Sequence, residues 1–206
     1  MNYQQQKRAL DLIVALSLMI LFLPFWFLVP LLIFLDSGWP VIFSHRRVGK
    51  NGLEFDLYKF RSMVKNADEI LHKKDKKLLI EFKKGDWKLK NDPRITPLGK
   101  VLRSLTIDEF PQLYNVIKGD MSMVGPRAYV KKELAEQQTR YPETKQYVKE
   151  ILSVKPGISG PWQTGGRNEV PFIKRAEMDA NYAKRKNILD DFKILLKPPQ
   201  AMISKW

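Results

Sequence analysis

A chain of 206 residues with 44% hydrophobic and 28% charged side chains has the make-up of a folded unit with a sizeable core, which excludes a largely disordered protein. The formal charge of +14 points to an anionic partner, whether lipid headgroup, nucleotide, nucleic acid or phosphorylated sugar, without choosing among them. Cysteine is absent, so disulfides and thiolate metal sites are excluded.

The first predicted element is apolar. From Leu12 to Leu35 there are 24 residues without a charge, more than the roughly 20 that cross a hydrocarbon core of about 30 Å. The run is too long for a secretory signal, and no small-residue cleavage pattern follows Leu35. Lys7 and Arg8 precede it, and Arg46, Arg47 and Lys50 follow it. Basic flanks at both ends fit a segment that starts and finishes on the cytoplasmic face. Pro24, in the middle, removes a main-chain hydrogen bond and offers a place for a re-entrant break, although an ordinary kinked spanning helix tolerates the same residue.

Next, Val41-Ile-Phe43 and the alternating Leu53-Glu-Phe-Asp-Leu57 read as a β-hairpin closed by the Asn51-Gly52 turn. If the second strand continues, Lys59 and Arg61 share a face, an arrangement equally suited to anion contact and to a solvated surface. Asn66 to Phe82 reads as a charged surface helix, followed by a lysine-rich loop to Lys90. Thr96 caps a helix opening at Pro97, whose Leu98, Val101, Leu102 and Leu105 fall on one predicted buried stripe with Arg103 off it.

A second helix is expected from about Glu109 to Lys118, stopped by Gly119. Thr106 and Glu109 match a capping box, which would put Pro111 deep in the helix; with Asp108 as the cap, Pro111 falls harmlessly in the first turn, and that scheme is preferred. Two Gly/Pro-rich loops follow, Gly119 to Arg127 and Lys155 to Asn168. Ile188, Leu189, Phe192, Leu195 and Leu196 form a last apolar stripe, suited to core packing or to a membrane interface, with core favoured.

The chemistry centres on Asp108 and Glu109. An ordinary aspartate, with a pKa of about 3.9, is ionised at pH 7 and needs no base to act as a nucleophile. Its approach to a diphosphate is repulsive, and the remedies are cationic side chains and a divalent cation. Lys59, Arg61, Arg103, Arg127 and Arg167 are candidate clamps; Asp108 and Glu109 are candidate oxygen ligands for Mg²⁺, with Asp179 as a further metal or substrate contact. A helix starting at Asp108 would also offer free N–H groups to phosphate. His45 and His72 are isolated, no zinc-type spacing exists, and the phosphate-cradling Gly-x-x-x-x-Gly-Lys-Ser/Thr loop is absent.

Taken together, Lys7-Arg8 with Asp11, Tyr58-Lys-Phe-Arg-Ser-Met63, Asn91-Asp-Pro-Arg-Ile-Thr96, Leu102 to Leu113, Gly119 to Arg127, Val154 to Asn168, and Asp179 with Tyr182 resemble the bacterial sugar transferases, or monotopic phosphoglycosyl transferases. The resemblance covers nearly the whole chain. It implies an α+β, mostly helical fold: a re-entrant membrane anchor over residues 1–37, a β-hairpin, and a compact helical catalytic domain over 38–206 at the cytoplasmic face of the bacterial inner membrane. It implies transfer of a hexose 1-phosphate from a UDP-sugar to polyprenyl (undecaprenyl) phosphate, the first membrane step of surface glycan synthesis. Asp108 would form a covalent phosphosugar intermediate, Glu109 would complete the dyad, and Mg²⁺ would be the cofactor. Partners would be the UDP-sugar, the polyprenyl phosphate and membrane lipid, not nucleic acid, with a homodimer allowed. Leu23 stands where a serine commonly precedes the anchor proline, Ala128 where a proline usually follows Gly-Pro-Arg, and Thr164-Gly165-Gly166 where a small-polar pattern is usual. The alternatives from other classes are a membrane-anchored nucleotide-sugar hydrolase and a basic lipid-binding protein.

Overall fold

The computed structural model describes residues 2–85, 87, 89, 91–161 and 170–197. Among them helices dominate, accompanied by an antiparallel hairpin and a short parallel strand pair. The expected α+β, mostly helical class is what the chain adopts.

Helix α1, Tyr3–Leu21, opens with a capping box in which Asn2 Oδ1 accepts from Gln5 N and Gln5 Oε1 accepts from Asn2 N. It stops before Pro24, which has no N–H to continue the ladder, and α2, Phe25–Ser37, leaves at a 63° bend. Among the described residues no single helix is long and apolar enough to cross a membrane, but this bent pair meets that test jointly. The break expected near Pro24 is therefore present. Gly38, at φ +72°, ends α2.

Strands β1, Ile42–Val48, and β2, Glu54–Phe60, form the hairpin, with His45 opposite Leu57 and Arg47 opposite Phe55. Asn51 and Gly52 both have positive φ, as an Asn-Gly hairpin turn requires. β1 is longer than the sequence pattern indicates and absorbs Arg46 and Arg47 of the basic flank. The single surface helix expected over Asn66 to Phe82 is interrupted: α3, Ala67–Glu69, runs into a wide turn over Ile70–Lys74, and Asp75 starts α4, Lys76–Lys84, by accepting from Leu78 N. Leu71, Leu78 and Leu89 make a small core beneath it.

Helix α5, Pro97–Ser104, is capped by Thr96 as expected. The buried stripe is corrected: Leu102 is buried, whereas Val101 and Leu105 are exposed. The reason is Gly99, whose backbone lies so close to the end of β2 that an added Cβ would sit 2.0 Å from the Ser62 carbonyl oxygen. That contact turns the Gly99 and Leu102 face inward and Val101 outward. Helix α6, Gln112–Lys118, ends at Gly119 in the left-handed region, where the sequence placed its stop.

Both Gly/Pro-rich loops contain a strand that composition concealed. β3, Ser122–Val124, pairs in parallel with β4, Gly157–Ser159. A Cβ on Gly157 would lie 2.0 Å from Gly125 N, so only glycine allows this approach. Helices α7, Lys131–Arg140, and α8, Lys145–Ile151, lie between the strands, and α9, Phe172–Arg185, and α10, Ile188–Leu195, follow them.

The main core joins Phe55, Leu57, Leu113, Val116, Met121, Met123 and Val124 to Ala15 of α1, so the N-terminal helix is part of the fold. A second core gathers Tyr129, Leu134, Val148, Ile151 and Phe172. Burying a side chain such as Phe172 contributes about 2–3 kcal/mol. Polar contacts also fix α1. Arg8 donates to the Val116 and Ile117 carbonyls at 2.6 and 2.7 Å, at the carbonyl end of α6. Asp11 accepts from Ser122 Oγ and Met123 N, and Lys7 pairs with buried Asp191 at 3.1 Å. The C-terminal stripe is split by that aspartate. Asp191 points inward to Lys7, Tyr3 and Tyr182, Ile194 and Leu195 pack on the core, and Leu189, Phe192 and Leu196 face out.

Candidate active site

Asp108 and Glu109 lie on a single 3₁₀ turn, Ile107–Glu109, that follows Thr106 in the left-handed region. Neither predicted capping scheme is realised. Thr106 makes no side-chain cap bond, and α6 begins only at Gln112 with Pro111 as its first flanking residue. Pro111, which lacks an N–H and fixes φ, suits that position, and the tight turn before it takes Asp108 out of the helix. No helix N-terminus therefore stands at Asp108.

The turn directs both acids towards β2. Lys59 Nζ lies 2.6 Å from Glu109 Oε1 and 3.8 Å from Asp108 Oδ2. Asp108 is 5% exposed. Burial raises its carboxyl above the usual range, Lys59 opposes that rise, Glu109 adds to it and Arg103 opposes it. Arg103 is itself lowered by burial and supported by the charges of Asp108 and Asp92, while its Nε donates to Ser62 Oγ at 2.8 Å. The site thus holds two carboxylates between a lysine and an arginine, with Asp108 the more buried acid.

The remaining predicted residues divide. Arg61 is not brought to the dyad. Its Nη2 donates to Ser37 Oγ and the Gly38 carbonyl, because the end of β2 runs beside the last turn of α2. It thereby ties the end of β2 to the end of α2. Asp179 is fully buried on α9, accepts from the backbone N of Arg127 at 3.0 Å, and is pushed up to about 7 by burial. It supports the backbone of the arginine loop, and among the described residues it does not join Asp108 and Glu109 in a three-carboxylate metal cluster. Arg127 is half-buried, its guanidinium carbon 5.9 Å from the centre of the Tyr129 ring. Arg167 lies outside the described residues.

Two contributors went unassigned in the sequence. Phe110, directly after the dyad, packs against Phe22 and Phe25 with ring centres 5.2 and 6.3 Å apart, and so joins the dyad turn to the bend of the helix pair. Its place after the dyad and the aromatic residues flanking Pro24 were the available signals. Arg47 donates to the Ala128 carbonyl at 3.2 Å, immediately after Arg127. Only the period of two along β1 hinted that it faces inward with His45.

Mg²⁺ suits oxygen donors in this arrangement, since it is commonly held by one or two carboxylates plus substrate phosphates and retained waters. Asp108 and Glu109 would supply those carboxylates, and Lys59 bridges them in this structure. The donor chemistry therefore fits the ion.

The bacterial sugar transferase family profile matches residues 2–205. The chain is 40% identical over 202 residues to the undecaprenyl-phosphate galactose phosphotransferase of Salmonella typhimurium, covering 97% of this chain and 40% of that protein. It is 37% identical over 198 residues to the exopolysaccharide production protein ExoY of Sinorhizobium fredii, covering 95% and 84%. It is 35% identical over 195 residues to the undecaprenyl-phosphate glucose phosphotransferase of Komagataeibacter xylinus, covering 92% and 34%. The chain thus spans about two fifths of the length of the Salmonella relative and most of the length of ExoY.

Proposed function

The chain belongs to the bacterial sugar transferase family, and on that premise we propose that it transfers a hexose 1-phosphate from a UDP-sugar to polyprenyl phosphate at the cytoplasmic face of the membrane, in the synthesis of an exported polysaccharide. The observation that carries this reading is the Lys59, Asp108, Glu109 and Arg103 cluster, joined through Phe110 to the bend of the apolar helix pair. A reaction between a soluble nucleotide and a lipid phosphate needs ionic chemistry next to hydrocarbon, and that is what this juxtaposition offers.

In the first displacement, a carboxylate oxygen of Asp108 attacks the phosphorus that carries the sugar. The bond to the uridine-side phosphate oxygen breaks, and UMP leaves with the electron pair. In the second, an oxygen of the polyprenyl phosphate attacks the same phosphorus, the aspartyl oxygen is expelled, and Asp108 returns as a carboxylate. No proton has to move to balance either step. Lys59 and Arg103 offset the charge of the approaching diphosphate and oppose the rise that burial imposes on the Asp108 carboxyl. Arg127 would meet the donor phosphates, and Glu109 holds Lys59. Mg²⁺ held by Asp108 and Glu109 would supply charge neutralisation at the diphosphate.

A membrane location is supported by exposed apolar surface. Leu21 and Phe27 beside the bend are 70% and 72% exposed, and Val101, Leu105, Leu189, Phe192 and Leu196 add apolar surface on α5 and α10. The bent helix pair enters and returns in this reading. Lys7 and Arg8, first read as a topological flank, have protein partners, so the bend carries the topology more than they do.

Incubation of the full chain with Mg²⁺, radiolabelled UDP-hexoses and undecaprenyl phosphate tests the reading. Lipid-linked label with stoichiometric UMP supports transfer. Free sugar phosphate would make the chain a hydrolase, and no turnover with any donor would leave a lipid-binding protein.

A further inference from the structure

Arg47 is a cation in an unusual setting. It lies on the inward side of β1, where burial lowers its pKa to about 10, so it stays protonated at neutral pH; Arg127 is the charge that lowers it most, while Glu133, Glu109 and Asp68 support it. Among the described residues it forms no ion pair, and its Nε is buried without a hydrogen bond. Arg47 is half-buried, and even partial desolvation of a guanidinium beside another arginine is unfavourable, where a methionine or leucine would fill the space at less expense in stability. Packing alone therefore does not account for it.

Its two hydrogen bonds indicate its use. Nη1 donates to the Ala128 carbonyl, and Nη2 donates to His45 Nδ1, each at 3.2 Å. The next residue adds a second grip, because Val48 N donates to the Tyr129 carbonyl at 2.9 Å. From the opposite side, Asp179 holds the backbone N of Arg127. The backbone from 127 to 129 is thus fixed between α9 and the hairpin, and the hairpin also carries Lys59. A planar fork can hold a carbonyl and an imidazole at once, which an ammonium cannot do with the same geometry. Since Arg47 must be the donor, His45 accepts at Nδ1 and carries its proton on Nε2. Burial lowers His45 to about 4, so the acceptor is maintained at neutral pH.

We infer that Arg47 is a positioning residue for the donor site: oriented by His45, it locks the Ala128 carbonyl to the hairpin and thereby sets Arg127 relative to Lys59 and Glu109. The inference rests on the transferase reading for its effect on the donor, and on geometry alone for its effect on the loop.

The test uses the full chain in detergent as wild type, Arg47→Gln, Arg47→Lys, Arg127→Gln and Arg47→Gln with Arg127→Gln. Donor KM and kcat are measured with saturating polyprenyl phosphate, together with amide hydrogen exchange of residues 125–129. Arg47→Gln is expected to raise donor KM about tenfold while changing kcat less than about threefold, and to add less than about twofold once Arg127 is already glutamine. Arg47→Lys should behave like Arg47→Gln, because it keeps charge but loses the fork. Exchange over 125–129 should quicken in both Arg47 variants. An equal KM increase in both backgrounds would overturn the inference in favour of direct contact with the donor. Wild-type KM and unchanged exchange would overturn it outright. If the wild type turns over no donor, the transferase reading fails, while the exchange arm still decides whether Arg47 holds the loop.

Discussion

Lys59 and Glu109 are joined by a 2.6 Å ion pair that holds the ammonium group 3.8 Å from Asp108. In the proposed reaction, the acid next to the nucleophile thus places the cation that the nucleophile needs. Lys59 is the chief influence lowering the pKa of Asp108 against its burial. Since the attacking form is the carboxylate, Lys59→Met should move the acid limb of the kcat/KM profile to higher pH and reduce kcat about 10²-fold. Rates measured from pH 5 to 9 check this. An unmoved acid limb would remove Lys59 from the account.

Gly99 sets α5 against the end of β2, and through it the reach of Arg103 to Ser62. Gly99→Ala would drive a Cβ into the Ser62 backbone, which cannot yield as a side-chain tip could. A loss of about 1–3 kcal/mol or more is expected, with activity falling even at temperatures where the variant is folded. Thermal unfolding and specific activity of the same sample separate the two effects.

Phe110 packs on Phe22 and Phe25 across the bend between α1 and α2. Phe110→Ala should lower stability by about 3 kcal/mol, the lower end for such truncations because the ring is half-buried. Phe110→Leu should retain most of it. If the ring also fixes the dyad turn, the alanine variant loses more activity than its folded fraction explains.

The hairpin, the α5 cap, the stop at Gly119 and the break at Pro24 were legible because each depends on local chemistry: Asn51-Gly52, Thr96 with Pro97, a left-handed glycine, and a missing N–H. The parallel β3 and β4 pair was not, since its partners are more than thirty residues apart and its short strands sit among glycine and proline. At the site, the residue types of Lys59, Asp108, Glu109 and Arg103 were legible, but not their division of work. Arg61 turned to the end of α2, and Asp179 to the backbone of Arg127, because tertiary contacts decide which anion or donor a side chain meets. Arg47 was hidden by its place in a basic run.

Asp179 makes a pH-dependent contribution whose sign follows from its raised pKa. An acid pushed up to about 7 by burial binds more protons folded than unfolded between its ordinary value and 7. Its contribution to stability is therefore fully present below the ordinary carboxylate pKa and is lost as pH rises through 7. Asp179→Asn keeps an acceptor for Arg127 N and cannot ionise. The wild-type Tm minus the variant Tm should fall between pH 4 and pH 7.5. A difference that grows over that range would show that Asp179 is held ionised.

In the proposed reaction Asp108 carries the phosphosugar between donor and acceptor. The most direct measurement is mass spectrometry of the full chain after incubation with Mg²⁺ and UDP-hexose, without polyprenyl phosphate, followed by acid quench and digestion. A hexose-phosphate adduct is expected on the peptide containing Asp108, discharged when polyprenyl phosphate is added and absent from folded Asp108→Asn. Full lipid-linked product from Asp108→Asn, or an adduct on another residue, would contradict it.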